Sequence, residues 1–247
     1  SAGIKAGMQG FDRVFPFGLS AEGIVLKDAS SGRVLFNIDG AWVGFNPVSI
    51  LSGGIGVDYK ASLNGGLVSG SVLQRLSGRF VDMKMEGVSI LAIPALERLR
   101  VSAGVLFDGD LSIKLPENGC ATGELRLAGR GGSGAEVRLG GIPLPVGGLD
   151  SAVLEAVASR PDAAGECHVE LKRLWLKGGE IEAQMHGSLK VKDPIEASIV
   201  DMVIDIRPKG RLLKKGFLLS LIEDYRTGDG IYRVPVKGRL GEVMSDG

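Results

Sequence analysis

The sequence predicts a mainly β protein: a large, strongly curved antiparallel meander, rolled or groove-shaped, with two or three short helices. Three observations lead there. From Glu180 to Lys192 apolar and polar residues alternate almost without error, with Ile181, Ala183, Met185, Gly187, Leu189 and Val191 on one face and Glu182, Gln184, His186, Ser188 and Lys190 on the other. A period of two held this long marks a half-buried strand. Similar segments flank it, CHVELKRLWLK ahead of Gly178-Gly179 and EASIVDMVIDIR after Asp193-Pro194, and Gly-Gly is suited to the positive φ angles of a tight hairpin. Finally, glycine supplies 39 of 247 residues, about twice the usual share of roughly 7%, and it falls between alternating segments, as turns and bulges require. No G-x-y period accompanies it, which excludes collagen.

Taken in order, residues 1 to 16 are weakly patterned and end in the loop-like Phe15-Pro16-Phe17-Gly18. LSAEGIVLK reads as a strand, and Ser30-Ser31-Gly32 turns it into RVLFNIDGAWVGF, where Val34, Phe36, Ile38 and Trp42 share a face. Pro47 ends that strand because proline cannot donate to a ladder, and VSIL is a short connector. Ile55, Val57, Tyr59, Ala61 and Leu63 alternate with polar neighbours up to Asn64-Gly65, the preferred type I′ pair. The chain returns through GLVSGSVL, and GRFVDMKMEG then sets Val81, Met83 and Met85 on one side. IPALERLR predicts a turn or two of helix. The following strand carries Val105, Phe107, Leu111, Ile113 and Leu115 on its apolar face.

CATGELRLAGRGGSGAEVRLGG reads as two short strands around a glycine-rich turn. LDSAVLEAVASR is the clearest helix, with Asp150 as N-cap and Leu154, Val157 and Ala158 on one face. After the three strands already described, GFLLSLIEDYR predicts a second amphipathic helix. The last strand, IYRVPVKGRL, places Tyr232, Val234, Val236 and Leu240 together. Single β domains of about 200–250 residues are common, so residues 1–247 are read as one domain. Two helices near 150–160 and 215–226 are too little cover for so many strands, which favours a sheet that rolls on itself.

Composition narrows the function classes. Lys plus Arg and Asp plus Glu number 29 each and are mixed along the chain, without the basic stripe of a nucleic-acid binder. Aromatics are 5%, which leaves few platforms for stacking bases. Apolar runs fall short of the roughly 18 residues of a spanning helix. The chain begins Ser1-Ala2-Gly3 rather than with Met, so it reads as a processed form or one whose natural N-terminus has been removed, with a lost signal or membrane anchor left open.

Cys120 and Cys167 are the two cysteines. Buried thiols and a disulfide in an oxidising compartment are both open, and without C-x-x-C spacing a zinc site is not indicated. CATGELRLAGRGG and CHVELKRLWLKGG form a faint repeat. As parallel neighbours they would bring their leading cysteines close, whereas an antiparallel arrangement would separate them.

Candidate chemistry reads mostly as scaffold. Gly129-x-Gly131-x-x-Gly134 matches a dinucleotide pattern by letter, but AEVRLGG continues in strand period where a helix would be needed, which favours a hairpin loop. His168 and His186 are the only histidines, and no nucleophile pattern surrounds either. Asp201, Asp205 and Glu196 alternate along a strand rather than gathering in one loop, so they read as a charged solvent face. No catalytic residue, metal site or cofactor is indicated.

Four segments carry a family resemblance: Phe45 to Val72, Leu76 to Ile90, ELKRLWLKGGEIEAQMHGSL, and Gly228 to Glu242. Together they resemble the periplasmic part of the type II secretion system protein N family and, more distantly, AsmA-type β-groove proteins. The resemblance implies a β domain on the periplasmic side of the bacterial inner membrane, attached through an N-terminal anchor to the machine that exports folded proteins. It also implies partners among other secretion-system envelope proteins. The AsmA-like alternative implies a concave apolar face that accommodates phospholipid, here drawn from Ile181, Ala183, Met185, Leu189, Val191, Val105, Phe107, Leu111 and Ile113. Neither family implies a catalytic residue.

Overall fold

The computed structural model of the chain describes residues 4–29, 32, 34–63, 65–89, 105–117, 119–131, 135–139, 142–159, 166–192, 197–210 and 222–240. It is mainly β and antiparallel throughout, and divides into two compact units, one of Ser1–Arg98 with Leu106–Glu117 and one of Leu99–Val105 with Asn118–Gly247.

The first unit contains β1 (Ile4–Gly7), β2 (Gly10–Val14), β3 (Gly18–Asp28), β4 (Val34–Asn46), the helical turn α1 (Val48–Leu51), β5 (Ile55–Leu63), β6 (Gly66–Arg75), β7 (Gly78–Ser89) and β8 (Leu106–Leu115). From β3 to β8 each strand pairs with the next in sequence, and β1 and β2 lie end to end along the same edge of β3. Residues 4–14 show little periodicity because an edge strand packs on one side only, and from Lys5 to Phe17 every residue but Gly10 stays exposed. The expected turn after Leu63 is a two-residue link, with Leu63 opposite Gly66.

Cross-strand partners point the same way, so the register defines the faces. One row joins Phe45, Val57, Val72, Val81 and Ile113; the next joins Val43, Tyr59, Gly70, Met83 and Leu111. The opposite face carries Lys60, Ser69, Lys84 and Asp110. Phe36, Ile38 and Trp42 share that second face as the sequence predicts, while Val34 lies beyond a register shift.

The second unit contains β9 (Thr122–Arg130), β10 (Ala135–Leu139), β11 (Ile142–Gly147), β12 (Leu149–Ser159), β13 (Cys167–Gly178), β14 (Ile181–Val191), β15 (Ile199–Pro208), a 3-10 turn at Glu223–Tyr225, and β16 (Tyr232–Arg239). The ladder runs β9-β12-β13-β14-β15-β16, and β10 with β11 forms a separate hairpin between β9 and β12. Among the buried apolar residues of its strands are Ala152, Ile181, Val200, Ile204, Ile206 and Tyr232.

Three expectations are corrected here. The segment predicted as a helix over 150–160 is strand β12. Its alanines fit either period, but Ala152, Leu154, Ala156 and Ala158 face one way in register with Leu127 and Leu125 of β9 and with Leu176, Leu174 and Leu171 of β13, so flanking strands override a weak local preference. Gly179 does not take a positive φ. Gly178 remains in β13 opposite Leu149, and the Gly179 N–H donates to the Gly148 carbonyl at 3.0 Å. The glycine-rich turn after β9 does not close a hairpin on itself: β10 pairs with β11, and β9 with β12. IPALERLR and most of GFLLSLIEDYR lie outside the described residues, and the described end of the latter is the Glu223–Tyr225 turn.

Candidate functional site

The second unit has one apolar and one charged face. On the apolar side, Ile181, Ala183, Met185, Leu189 and Val191 of β14 register with Leu176, Leu174 and Val169 of β13 and with Ile206, Ile204, Val200 and Pro208 of β15. The row continues into Tyr232, Val234 and Val236 of β16. Ile181 is buried, whereas Ala183, Met185, Leu189 and Val191 are only half-buried. Phe107, Leu111 and Ile113 belong to the apolar face of the first unit, and Val105, just ahead of β8, is 1% exposed. The nine apolar residues singled out from sequence therefore form one set in each unit, with Val105 buried apart from the strands.

The charged side of the second unit is built of pairs. Glu182 accepts hydrogen bonds from Lys209 Nζ at 2.6 Å and Trp175 Nε1 at 3.3 Å, and the Arg173 guanidinium lies 5.2 Å from the Trp175 ring centre. One strand over, Asp205 takes a two-pronged bond from Arg233, at 2.7 and 2.9 Å. Asp201 pairs with Lys237 at 3.1 Å. The bond from Lys209 holds the Glu182 carboxyl below the ordinary range, and the bond from Arg233 does the same for Asp205. Carboxylates held ionised in this way are poor proton donors near neutrality.

His168 stands opposite Lys190, four residues from His186 along β14, which is about 13 Å at strand rise. The two histidines are not brought together. Asp201 and Asp205 have the same spacing, Glu196 lies outside the described residues, and among the described residues no three His, Cys, Asp or Glu side chains gather as a metal site. Cys120 and Cys167 are joined by a disulfide with Cα atoms 5.2 Å apart. β9 and β13 both pair antiparallel with β12 and so run parallel to each other on either side of it. The bond ties the starts of those two strands beyond the end of β12.

Sequence reasoning missed a polar knot ahead of β16. Glu223 pairs with Arg226 at 2.9 Å and accepts the Tyr232 O–H at 3.1 Å, while Thr227 donates to the Ile231 carbonyl through both its N–H and its hydroxyl. Burial, then the Glu223 carboxylate, push the Tyr232 phenol up. The signal available was Thr227-Gly228-Asp229-Gly230, a run of turn formers.

Fold and geometry together define a class: an antiparallel β protein whose second unit has one apolar face and one face carrying ion pairs. No family of known proteins, no curated protein and no solved structure matches the chain.

Proposed function

We propose that this chain is a non-enzymatic periplasmic component of the type II protein secretion apparatus, held at the bacterial inner membrane and working by binding other envelope proteins. The observation that carries the reading is the contrast between the two faces of the second unit, one an apolar surface on which Ala183, Met185, Leu189 and Val191 stay half-buried beside buried Ile181, Val200, Ile204 and Ile206, and the other a face of ion pairs. A partly accessible apolar strip beside a charged face suits association, since interfaces place an apolar centre within a polar rim. The Cys120–Cys167 disulfide supports an oxidising compartment. The segments that carry the family resemblance include the β5–β6 hairpin, the β13–β14 pair and β16. Affinity capture of the full-length protein from its native envelope is expected to recover secretion-system envelope proteins, and recovery of none of them overturns the reading.

The half-buried state of Met185, Leu189 and Val191 favours one alternative, a lipid-binding β groove. Native mass spectrometry after gentle purification separates the two. Co-purified phospholipid supports the groove, and a clean apo mass supports the protein-binding scaffold.

A further inference from the structure

We infer that the first unit carries a membrane-contacting rim, made of loop tips at one end of its ladder that dip into an anionic bilayer. This goes beyond the proposed function and does not depend on it. The register places three connections at the same end of the sheet: the β2–β3 turn, the β4–β5 connection and the β6–β7 turn, with Gly18 opposite Gly44, Asn46 opposite Gly56, Ile55 opposite Gln74 and Arg75 opposite Gly78. Each presents a large apolar side chain to solvent. Phe15 is 95% exposed, Leu51 89% and Leu76 99%. Scattered exposed leucines need no explanation, but three extreme cases on neighbouring tips of one sheet end do. Strands about 4.8 Å apart put these tips within one line along that end.

The longest tip is built to hold its apolar groups outward. Ser49 donates to the Asn46 carbonyl at 2.6 Å and accepts the Gly56 N–H at 2.7 Å, Ser52 donates to the Ser49 carbonyl at 2.8 Å, and the Asn46 side chain accepts the Val48 N–H and donates to Asp58. The polar groups are spent inside the connection, while Val48, Ile50 and Leu51 face solvent. No charged residue occurs from Val14 to Ser20 or from Pro47 to Val57.

Charge selects the occupant. Arg75 and Arg79 bracket Leu76, Lys114 lies 5.2 Å from the Phe80 ring centre with Arg75 at 5.3 Å, and among the described residues none of these three cations is paired with a carboxylate. The carboxylates nearest this end are Asp58, bonded to Asn46, Asp82 in the same cross-strand row, and Glu117. Uncharged apolar tips backed by unpaired cations fit a bilayer with anionic headgroups, where insertion depends on apolar area and on attraction to the surface.

The test is flotation of the full chain with vesicles of equal parts phosphatidylcholine and phosphatidylglycerol, and with phosphatidylcholine alone. The chain is expected to float with the anionic vesicles and less with the neutral ones. The variant combining F15S, L51S and L76S, which alters only exposed side chains and is checked for an unchanged circular dichroism spectrum, is expected to partition about tenfold or more weakly. In an L76W variant the added indole is expected to be quenched by acyl-brominated lipid beyond the quenching of the parent chain. Failure of the parent chain to float with either vesicle would assign the tips to a protein partner and overturn the inference. Equal partitioning of the triple variant, or no added quenching in L76W, overturns it as well.

Discussion

Single residues show where the sheet tolerates no change. Gly70 sits between Tyr59 and Met83, and the Tyr59 side chain crosses it to donate its O–H to the Asp82 carbonyl at 3.2 Å. A Cβ at Gly70 would overlap that carbonyl and lie 2.8 Å from the Tyr59 hydroxyl. G70A is therefore expected to cost about 1–3 kcal/mol, the usual range for forced overpacking, while Y59F costs about 0.5 kcal/mol because its bond is open to water; urea midpoints measure both. The same scale governs pH. Asp205 and Glu182 have carboxyls lowered in the folded chain, so their contribution is present above the ordinary carboxylate range and is lost as pH falls through the lowered values. Tyr59 and Tyr232 are raised, chiefly by burial, so their share is present below the ordinary phenol range and lost as pH rises through the raised values. Replacing Arg233 with Met is expected to move the Asp205 carboxyl up toward the ordinary range in a carbon-detected NMR titration, and an unmoved titration would mean the bond is not formed in solution. None of these pairings was legible in the sequence, which gives the strand alternation but not the register that sets Asp205 against Arg233 across 28 positions.

Elements were more readable where both neighbours impose the same period. β5, β7, β14 and β15 alternate cleanly because each lies between two partners with one face apolar. β12 hid itself because alanine and leucine at 152, 154, 156 and 158 satisfy strand spacing, while Leu154, Val157 and Ala158 also make a helical stripe; only the leucines of β9 and β13 decide the matter. A second illegible device is the bulge between β7 and β8, where the register shifts between Met85 and Val88. Gly87 sits there at φ +60°, and its N–H donates to Asp108 Oδ1 at 2.8 Å, as in bulges that need a glycine in the left-handed region. A Cβ at Gly87 meets nothing within 4 Å, so substitution tests backbone strain alone. G87A is expected to cost about 1–2 kcal/mol, and G87N less, because asparagine tolerates that region. Thermal denaturation of the two variants checks the order, and an equal loss would place the cost elsewhere.

At the scale of the whole chain, the mainly β antiparallel character was legible from period and glycine placement, whereas the pairing of strands distant in sequence was not. β9 skips the β10–β11 hairpin to reach β12, a step that no local pattern announces. That skip gives the disulfide its effect. Cys120 and Cys167 are 47 positions apart, and the link closes a loop containing β9, the β10–β11 hairpin and β12. In the chain-entropy treatment a loop of that length stabilises by about 4 kcal/mol, a value that strain or residual structure in the unfolded chain would reduce. Reduction, or the C120A/C167A variant, is therefore expected to lower the urea midpoint by the equivalent of about 2–4 kcal/mol. The loss of amide protection should concentrate in β9, β12 and β13, the strands tied at that end, with β5 to β7 of the first unit less affected. Hydrogen exchange with and without reductant reads this directly. Uniform loss over both units would mean that the bond supports the chain as a single cooperative body rather than the second unit in particular.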